Sequence, residues 1–536
     1  MTEKTVKKEK EATIFKKGLI YILHDFSWWT STHGIPHIGL ANAQWLRILW
    51  IIIVLCCFGG FIWQFVTLFT NYLAYRVNTE TELQFSDREF ATVTLCHLNA
   101  WKKDESGAAI PKMRDLIDAY QSGTAHADYD FSNRFDGKRQ QSATKFTALM
   151  SENLYSSSKL PGANHAYTYE DLVITCTYNA KSCNTTDFRE FYDPSYGICH
   201  MFNFDGSRTS SRAGPLYGLR MVIRTDQAKY LPWTETAGVI MSIHGKDDVP
   251  FPDVFGYFAA PGTATSLGVR FISTSRLPAP YGTCTRQETL NGKHYNGKYE
   301  VESCFRDCLQ DRIVTDCGCY DPAYHHADDG GATPSCADGD QLQNLACIDR
   351  IANSDAGGFN IIRDCVCPQP CEVDSYSVTV STAKWPSTAY KPEECQRNSS
   401  GKPWDTADMN CLEWYQKNTL LVEIYYERMN FQVLTESPAY SLVNLVSDVG
   451  GQVGLFLGMS IISVIELLTL LLLLICYCAT HKSRKREIEE IEKELHNARG
   501  EADRIAARNK RAMMQKSKGV YGADDHTLPP PVISPN

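Results

Sequence analysis

The chain predicts a membrane α+β protein: two transmembrane helices flanking a large extracellular domain stapled by disulfides. Three observations carry this. Residues 48–69 and 440–478 are long apolar runs, each able to cross a bilayer. Between them lie about 370 residues holding 16 of the 20 cysteines, an even number in a segment long enough for several subdomains. That segment also contains short β-branched and aromatic runs with little helical period.

The first run contains Ile51-Ile52-Ile53-Val54-Leu55, then Phe61, Ile62, Phe65, Leu68 and Phe69, broken by Gln64 and small polar residues. The segment before it is long and has no cleavage site, so it reads as an uncleaved signal anchor. Basic residues flank both runs, with Lys7, Lys8, Lys10, Lys16 and Lys17 before the first and Lys482, Arg484, Lys485 and Arg486 after the second. Basic flanks stay on the cytoplasmic side, which predicts cytoplasmic termini and a multi-pass plasma-membrane protein. The net charge of −9 averages an acidic middle with basic flanks and excludes a nucleic-acid partner. The expected divisions are 1–46 cytoplasmic, 47–71 first span, 72–438 extracellular, 439–478 second span and 479–536 cytoplasmic tail.

The second run carries the chemistry. It includes Val446-Ser447-Asp448-Val449-Gly450-Gly451-Gln452-Val453-Gly454-Leu455-Phe456-Leu457-Gly458-Met459-Ser460 and, further on, Glu466. A carboxylate at bilayer depth costs several kcal/mol and persists where it meets water or a partner, so Asp448 and Glu466 are candidate functional residues. The glycines let backbones approach closely or let a helix break and present carbonyls to an ion. A tightly packed anchor would account for the small residues but not for two acids; the pattern reads as a pore. As one straight helix the run would extend about 58 Å against roughly 30 Å of hydrocarbon. Either its start stands outside the lipid or it is interrupted near Gly458.

Before the first span, Ser31-Thr32-His33-Gly34-Ile35-Pro36-His37-Ile38-Gly39 is too rich in turn residues for a continuous helix and reads as a connecting loop. In the middle segment, residues 91–95, 172–175, 219–223, 238–243 and 420–426 are strand-like and imply a central sheet. Residues 104–160 read as an outer helical subdomain. Cys304 and Cys308 would share one helix face, and Cys365, Cys367 and Cys371 can return to meet them. Zinc or redox chemistry at Cys317-Gly318-Cys319 is the rival, but dense, even cysteines in an oxidising compartment pair. Asn184 and Asn398 head glycosylation sequons. Residues 484–518 predict a solvated helix, and the Pro-rich end a disordered tail.

Enzyme motifs are weak. Gly292-Lys293-His294-Tyr295-Asn296-Gly297-Lys298 ends in Tyr299 where a phosphate loop needs Ser or Thr, and reads as a turn. His325 and His326 fit no zinc-protease motif and read as surface residues. No catalytic residue, metal ligand or cofactor is assigned.

These residues resemble the degenerin, epithelial sodium channel and acid-sensing ion channel family from Thr32 to about Leu474. The resemblance rests on His33-Gly34, on Gly450-Gly451-Gln452-Val453-Gly454-Leu455 with Gly458-Met459-Ser460 and Glu466, and on 90–99, where Ala91 stands in place of the usual Pro. It also rests on Gly197-Ile198-Cys199-His200-Met201-Phe202-Asn203, Pro280-Tyr281-Gly282-Thr283-Cys284, and Cys365-Val366-Cys367-Pro368-Gln369-Pro370-Cys371 running on to Tyr376, Trp385 and Pro386.

The resemblance implies a homotrimer, or a trimer with related subunits, whose extracellular part divides into palm, β-ball, finger, thumb and knuckle. It implies a sodium channel with Gly458, Met459 and Ser460 as selectivity filter, Met459 pointing away, rings of Asp448 and Glu466 on either side, and His33-Gly34 re-entering to line the lower pore. The permeant ion is Na+, and amiloride-type compounds are the expected blockers. Tyr72, Tyr75 and Tyr281 are the expected gating couplers. The implied disulfides are Cys96 to Cys199, Cys176 to Cys183, Cys284 to Cys371, Cys304 to Cys367, Cys308 to Cys365, Cys317 to Cys347 and Cys319 to Cys336. That leaves Cys395 and Cys411 as an eighth pair.

For the stimulus, Asp247 and Asp248 stand where proton-gated members place a candidate acidic pocket. The His pair those members carry is replaced by Tyr75 and Arg76, and Arg does not titrate near neutral pH. The Ser31-to-Pro36 sequence is similar to invertebrate neuropeptide-gated members, above all the FMRFamide-gated sodium channels, so the expected ligand is an extracellular amidated peptide. Proton or mechanical gating is the alternative, and a two-span receptor that does not conduct is the alternative of another class.

Overall fold

The structure is a computed structural model, and it describes residues 3–132, 136–327, 329–352, 359–396, 404 and 409–517. It divides into two units, residues 1–76 with 440–536, and residues 77–439.

In the first unit, Gln44–Leu73 is one apolar helix of 30 residues, long enough to span a membrane. The second apolar run is two helices. Leu442–Leu457 starts where the Ser441 hydroxyl accepts the Asn444 N–H, an N-cap that satisfies one of the first free donors. It ends at Gly458, whose φ of +59° terminates a helix at little steric cost. The second helix, Ile461–Ser517, has an apolar first stretch, Ile461–Thr480. It does not stop at the basic boundary, because the Glu, Lys, Arg and Ala that follow are strong helix formers. Ahead of the spans, Glu3–Trp29 is helical, and the segment expected to be a loop contains a six-residue helix, Ile35–Leu40, with Pro36 in its first turn.

In the second unit the strand-like runs fall into two sheets, not the one central sheet expected. The strand order Val77–Phe85, Asn430–Pro438, Thr263–Ser275, Thr419–Tyr426, Leu219–Arg224, Val173–Tyr178, Lys181–Ser182 makes the larger, with Glu372–Lys384 also pairing Thr263–Ser275. Gly256–Ala259, Val239–His244, Thr92–His97, Gly197–Phe202 and Phe188–Asp193 make the smaller. Period-2 patterning says that a strand exists and which face is apolar, but not which partner it takes. The main core joins both sheets, with Val93, Leu95 and Met241 of the smaller buried in one cluster with Met221, Leu267 and Val422 of the larger.

The 104–160 region holds the helices Pro111–Ser122 and Asp136–Ser158, with a short hairpin, Ala125–His126 against Tyr129–Asp130, between them. Leu116, Phe146 and Leu149 share a core with Leu309 and Ile313 of the Val301–Cys317 helix and Ile348 of Gln341–Ala352. The Gly292 segment is a hairpin, Thr289–Asn291 against Asn296–Lys298, and the Asp307 carboxylate accepts the N–H groups of His294 and Tyr295 at its tip.

Among the described residues, disulfides join Cys96 to Cys199, Cys176 to Cys183, Cys284 to Cys371 and Cys304 to Cys367. Others join Cys308 to Cys365, Cys317 to Cys347, Cys319 to Cys336 and Cys395 to Cys411. Cys304 and Cys308 lie one turn apart on the Val301–Cys317 helix and take the 365–367 segment as partner, which fastens that helix along its length. Asn184 is exposed, with its side chain capping a turn; Asn398 and the Pro-rich end lie outside the described residues.

Candidate pore

The break at 458–460 is the centre of the candidate site. The Gly458 N–H donates to the Gly454 carbonyl at 3.0 Å and the Met459 N–H to Val453 at 3.4 Å, closing the first helix. Ser460 opens the next: its N–H donates to the Ser463 hydroxyl at 3.1 Å and its carbonyl accepts from Val464. Three residues therefore leave the helical ladder in the middle of an apolar run. At such a point a chain can turn carbonyls and a small hydroxyl toward a permeating ion.

The segment around His33 holds this break. The His33 N–H donates to the Leu457 carbonyl at 3.2 Å. Its ring covers the α-carbon of Gly458 so closely that a β-carbon there would lie 2.0 Å from Nδ1. Gly34 is required twice over, by a φ of +87° and by Val54 of the Gln44–Leu73 helix, whose Cγ2 would meet a β-carbon at 2.5 Å. His37 stacks on Trp50 of the same helix at 4.4 Å. The segment is thus wedged between the first span and the break in the second.

Glu466 supplies the anchor. Its Oε2 accepts the Ser31 N–H at 2.7 Å, the Thr30 hydroxyl at 3.0 Å and the Ser31 hydroxyl at 3.1 Å. Ser31 Oγ also lies 2.6 Å from Oγ of Ser463, which is fully buried. Three hydrogen bonds converge on one carboxylate oxygen, and the charge on the acceptor strengthens each of them. The sequence alone assigns Glu466 to an acidic ring and gives no sign that Thr30 and Ser31 are its partners. Asp448 accepts the Tyr440 hydroxyl at 2.6 Å.

The glycines divide by environment. A β-carbon on Gly60 would meet Phe456 at 2.8 Å, so this glycine lets the first span approach the Leu442–Leu457 helix. Beyond their own turn of helix, Gly450 and Gly451 have no atom within 4 Å of where a β-carbon would stand, and Gly454 has only the Met459 carbonyl at 4.0 Å. Within one chain that face is open.

Tyr72 and Tyr75 close the first span, their ring centroids 6.1 Å apart, with Tyr75 at a φ of +45°. Tyr281 belongs to the other unit, where its N–H donates to the Pro278 carbonyl. Asp247 is exposed, whereas Asp248 is buried, bonded to Lys298 and accepting the Gly245 N–H. Two adjacent carboxylates thus face different surroundings. Near Asp248, burial pushes the Glu300 carboxyl up to about 7, the Asp248 charge adding to the effect. Among the described residues no cluster of three or more His, Cys, Asp or Glu side chains could hold a metal ion.

A family model described as "Amiloride-sensitive sodium channel" matches residues 26–470. The chain is similar to the degenerin-like protein asic-2 of Caenorhabditis elegans, 29% identical over 519 residues, covering 89% of this chain and 93% of that protein. It is 40% identical over 307 residues to degenerin del-1 of Caenorhabditis elegans, covering 56% of this chain and 44% of del-1. It is 37% identical over 355 residues to degenerin mec-4 of Caenorhabditis briggsae, covering 65% of this chain and 45% of mec-4. These last two alignments span less than half of the relatives' own length.

Proposed function

The chain belongs to the amiloride-sensitive sodium channel family, and from that premise we propose that it forms a sodium-selective channel of the plasma membrane, as a homotrimer or with related subunits, with both termini cytoplasmic. The observation that carries the proposal is the helix break at Gly458, Met459 and Ser460, braced by His33 and by the Glu466 carboxylate. Three such breaks around an axis would offer carbonyls and Ser460 hydroxyls at the short range that replaces the hydration of a small cation. The open glycine face at Gly450 and Gly451 fits close approach of sister subunits or of water. Asp448 would draw cations toward the constriction.

An extracellular amidated peptide opens this channel, and amiloride-type compounds block it. The support is the Ser31-to-Pro36 sequence and the placement of Tyr75 and Arg76 at the end of the first span. Asp248 is also buried and ion-paired with Lys298 while Asp247 is exposed, so the two carboxylates do not share one pocket. The strands Val77–Phe85 and Asn430–Pro438 pair with each other and continue in sequence into the two spans, so movement in their sheet has a covalent path to the pore. Cells expressing this chain alone, challenged with acid and then with a panel of amidated peptides under voltage clamp, test the stimulus. Peptide-evoked current supports the reading; large acid-evoked current with silent peptides replaces it with proton gating.

A further inference from the structure

The Ile461–Ser517 helix continues well past Thr480, where its apolar stretch closes. Within that extension Ile488, Ile491, Leu495 and Ile505 fall on one stripe of the helix. Ala498, Ala502, Asn509 and Ala512 complete it, so that its steps alternate three and four without a break. The stripe is set apart by charge: between 488 and 512 none of its eight residues is charged, whereas 12 of the other 17 are. Such an alternation is the seven-residue repeat of a coiled coil, and charged flanks over three or more repeats are its accompaniment.

Among the described residues the stripe is uncovered. Ile491 and Ile505 are 53% and 55% exposed within one chain. One element of the chain does pack on this helix higher up. Glu3–Trp29 runs antiparallel to it, with Phe15 stacked on Tyr477 at 5.4 Å and Ser31 bonded to Glu466. Both helices rise about 1.5 Å per residue, so Glu3, counted back from Phe15, comes level with about position 489. The repeat from Leu495 onward lies beyond that helix. Isolated helices are marginal in water, and most of a helix's stability in proteins comes from packing its apolar face.

We propose that residues 488–512 form a parallel, three-stranded coiled coil with the same segment of two further copies of this chain, below the pore on the cytoplasmic side. This rests on the reading of the chain as a trimeric channel with cytoplasmic ends. Three features select that occupant. The segment is one helix with the Ile461–Thr480 span, so copies that share a pore send it out side by side in the same direction. Isoleucine at both core positions of the first repeat, Ile488 and Ile491, favours three strands over two, and Asn509 at a later core position fixes the register. In a parallel coil the residue before one repeat meets the partner's residue five positions on, which sets Glu494 against Arg499 of the partner subunit. The earlier pair of this kind, Glu487 and Glu492, is like-charged, so the charge match lies in the second repeat.

Cysteine cross-linking of the full chain tests this. Cys476 and Cys478, the free cysteines on the same helix, are first changed to serine. One cysteine is then introduced on the stripe by Ile505→Cys, or on the far side of the helix by Ala507→Cys. Isolated membranes are oxidised with copper phenanthroline and run on a non-reducing gel, and light scattering in detergent gives the mass of the assembly. Ile505→Cys should give a band of twice the chain mass at least about tenfold faster than Ala507→Cys. Ala498→Cys should cross-link in the same way and lose the band when Ile491→Asp and Ile505→Asp are added, with the mass still that of three chains. A mass of three chains with equal rates at 505 and 507, or with a cross-link at neither, overturns the coiled coil and leaves the channel reading standing. Any other mass overturns the trimer reading and the coiled coil with it.

Discussion

The His33 imidazole lies against the α-carbon of Gly458, so the segment before the first span and the break in the second span are in direct contact. Gly458→Ala would put a methyl group 2.0 Å from His33 Nδ1 and would force an L side chain into a left-handed conformation, a backbone cost of about 1–2 kcal/mol before any clash. The expected outcome is a loss of at least about tenfold in sodium current per channel at the surface, since RT ln 10 is about 1.4 kcal/mol. Surface biotinylation with whole-cell recording checks it, and unchanged current would show that the contact does not shape the pore.

Glu466 ties that same segment down. Its Oε2 accepts three hydrogen bonds from Thr30 and Ser31, each strengthened by the charge on the acceptor. In Glu466→Gln the segment should loosen. A cysteine introduced by Thr32→Cys, at a buried position, should then react with a methanethiosulfonate reagent from the cytoplasmic side at least about tenfold faster than in the Glu466 parent. Equal rates would assign Glu466 to the permeation path alone.

The bridge from Cys395 to Cys411 closes a short loop, with a sequence separation of 16. Loop-closure entropy for that length predicts that Cys411→Ser, with Cys395→Ser, costs about 3 kcal/mol of stability. The loss should appear as a lower melting temperature, because Cys395 and Cys411 both pack on the Trp404, Trp414 and Tyr415 cluster. Non-reducing peptide mapping that found either thiol free or otherwise bonded would contradict the pairing.

Much of this architecture was legible because its signals are local. The spans announce themselves by composition, the Leu219–Arg224 strand by alternating burial, and the break by glycine and serine inside an apolar run. What stayed hidden is non-local. Glu466 meets Ser31 across 435 positions, so a reading along the chain sees an isolated carboxylate and gives it to the pore. The burial of His326 depends on Tyr320 and on His294, a ring from a separate hairpin, and nothing in its neighbouring residues signals it. Strand partners are hidden for the same reason, which is why one expected sheet became two.

Glu300 gives a pH dependence with a definite sign. Burial lifts its folded pKa from 4.5 to about 7, so the folded state holds the proton more tightly than the unfolded state. The resulting stability is complete below about 4.5 and is lost as pH rises through about 7. Glu300→Gln removes this loss and should raise the melting temperature relative to the parent at pH 8 but not at pH 4.5. A difference between variant and parent that is the same at both pH values would show that Glu300 does not titrate this way.

The central claim is that residues 458–460 form the sodium-selective constriction, and the reversal potential of evoked current tests it most directly. Replacing external sodium by potassium should move the parent's reversal potential to more negative values by tens of millivolts, about 59 mV for each tenfold in selectivity for a one-charge ion. In Ser460→Cys that shift should shrink or the current vanish while surface expression persists. An unchanged shift in a conducting Ser460→Cys channel, or a parent current that does not distinguish the two ions, would contradict the account.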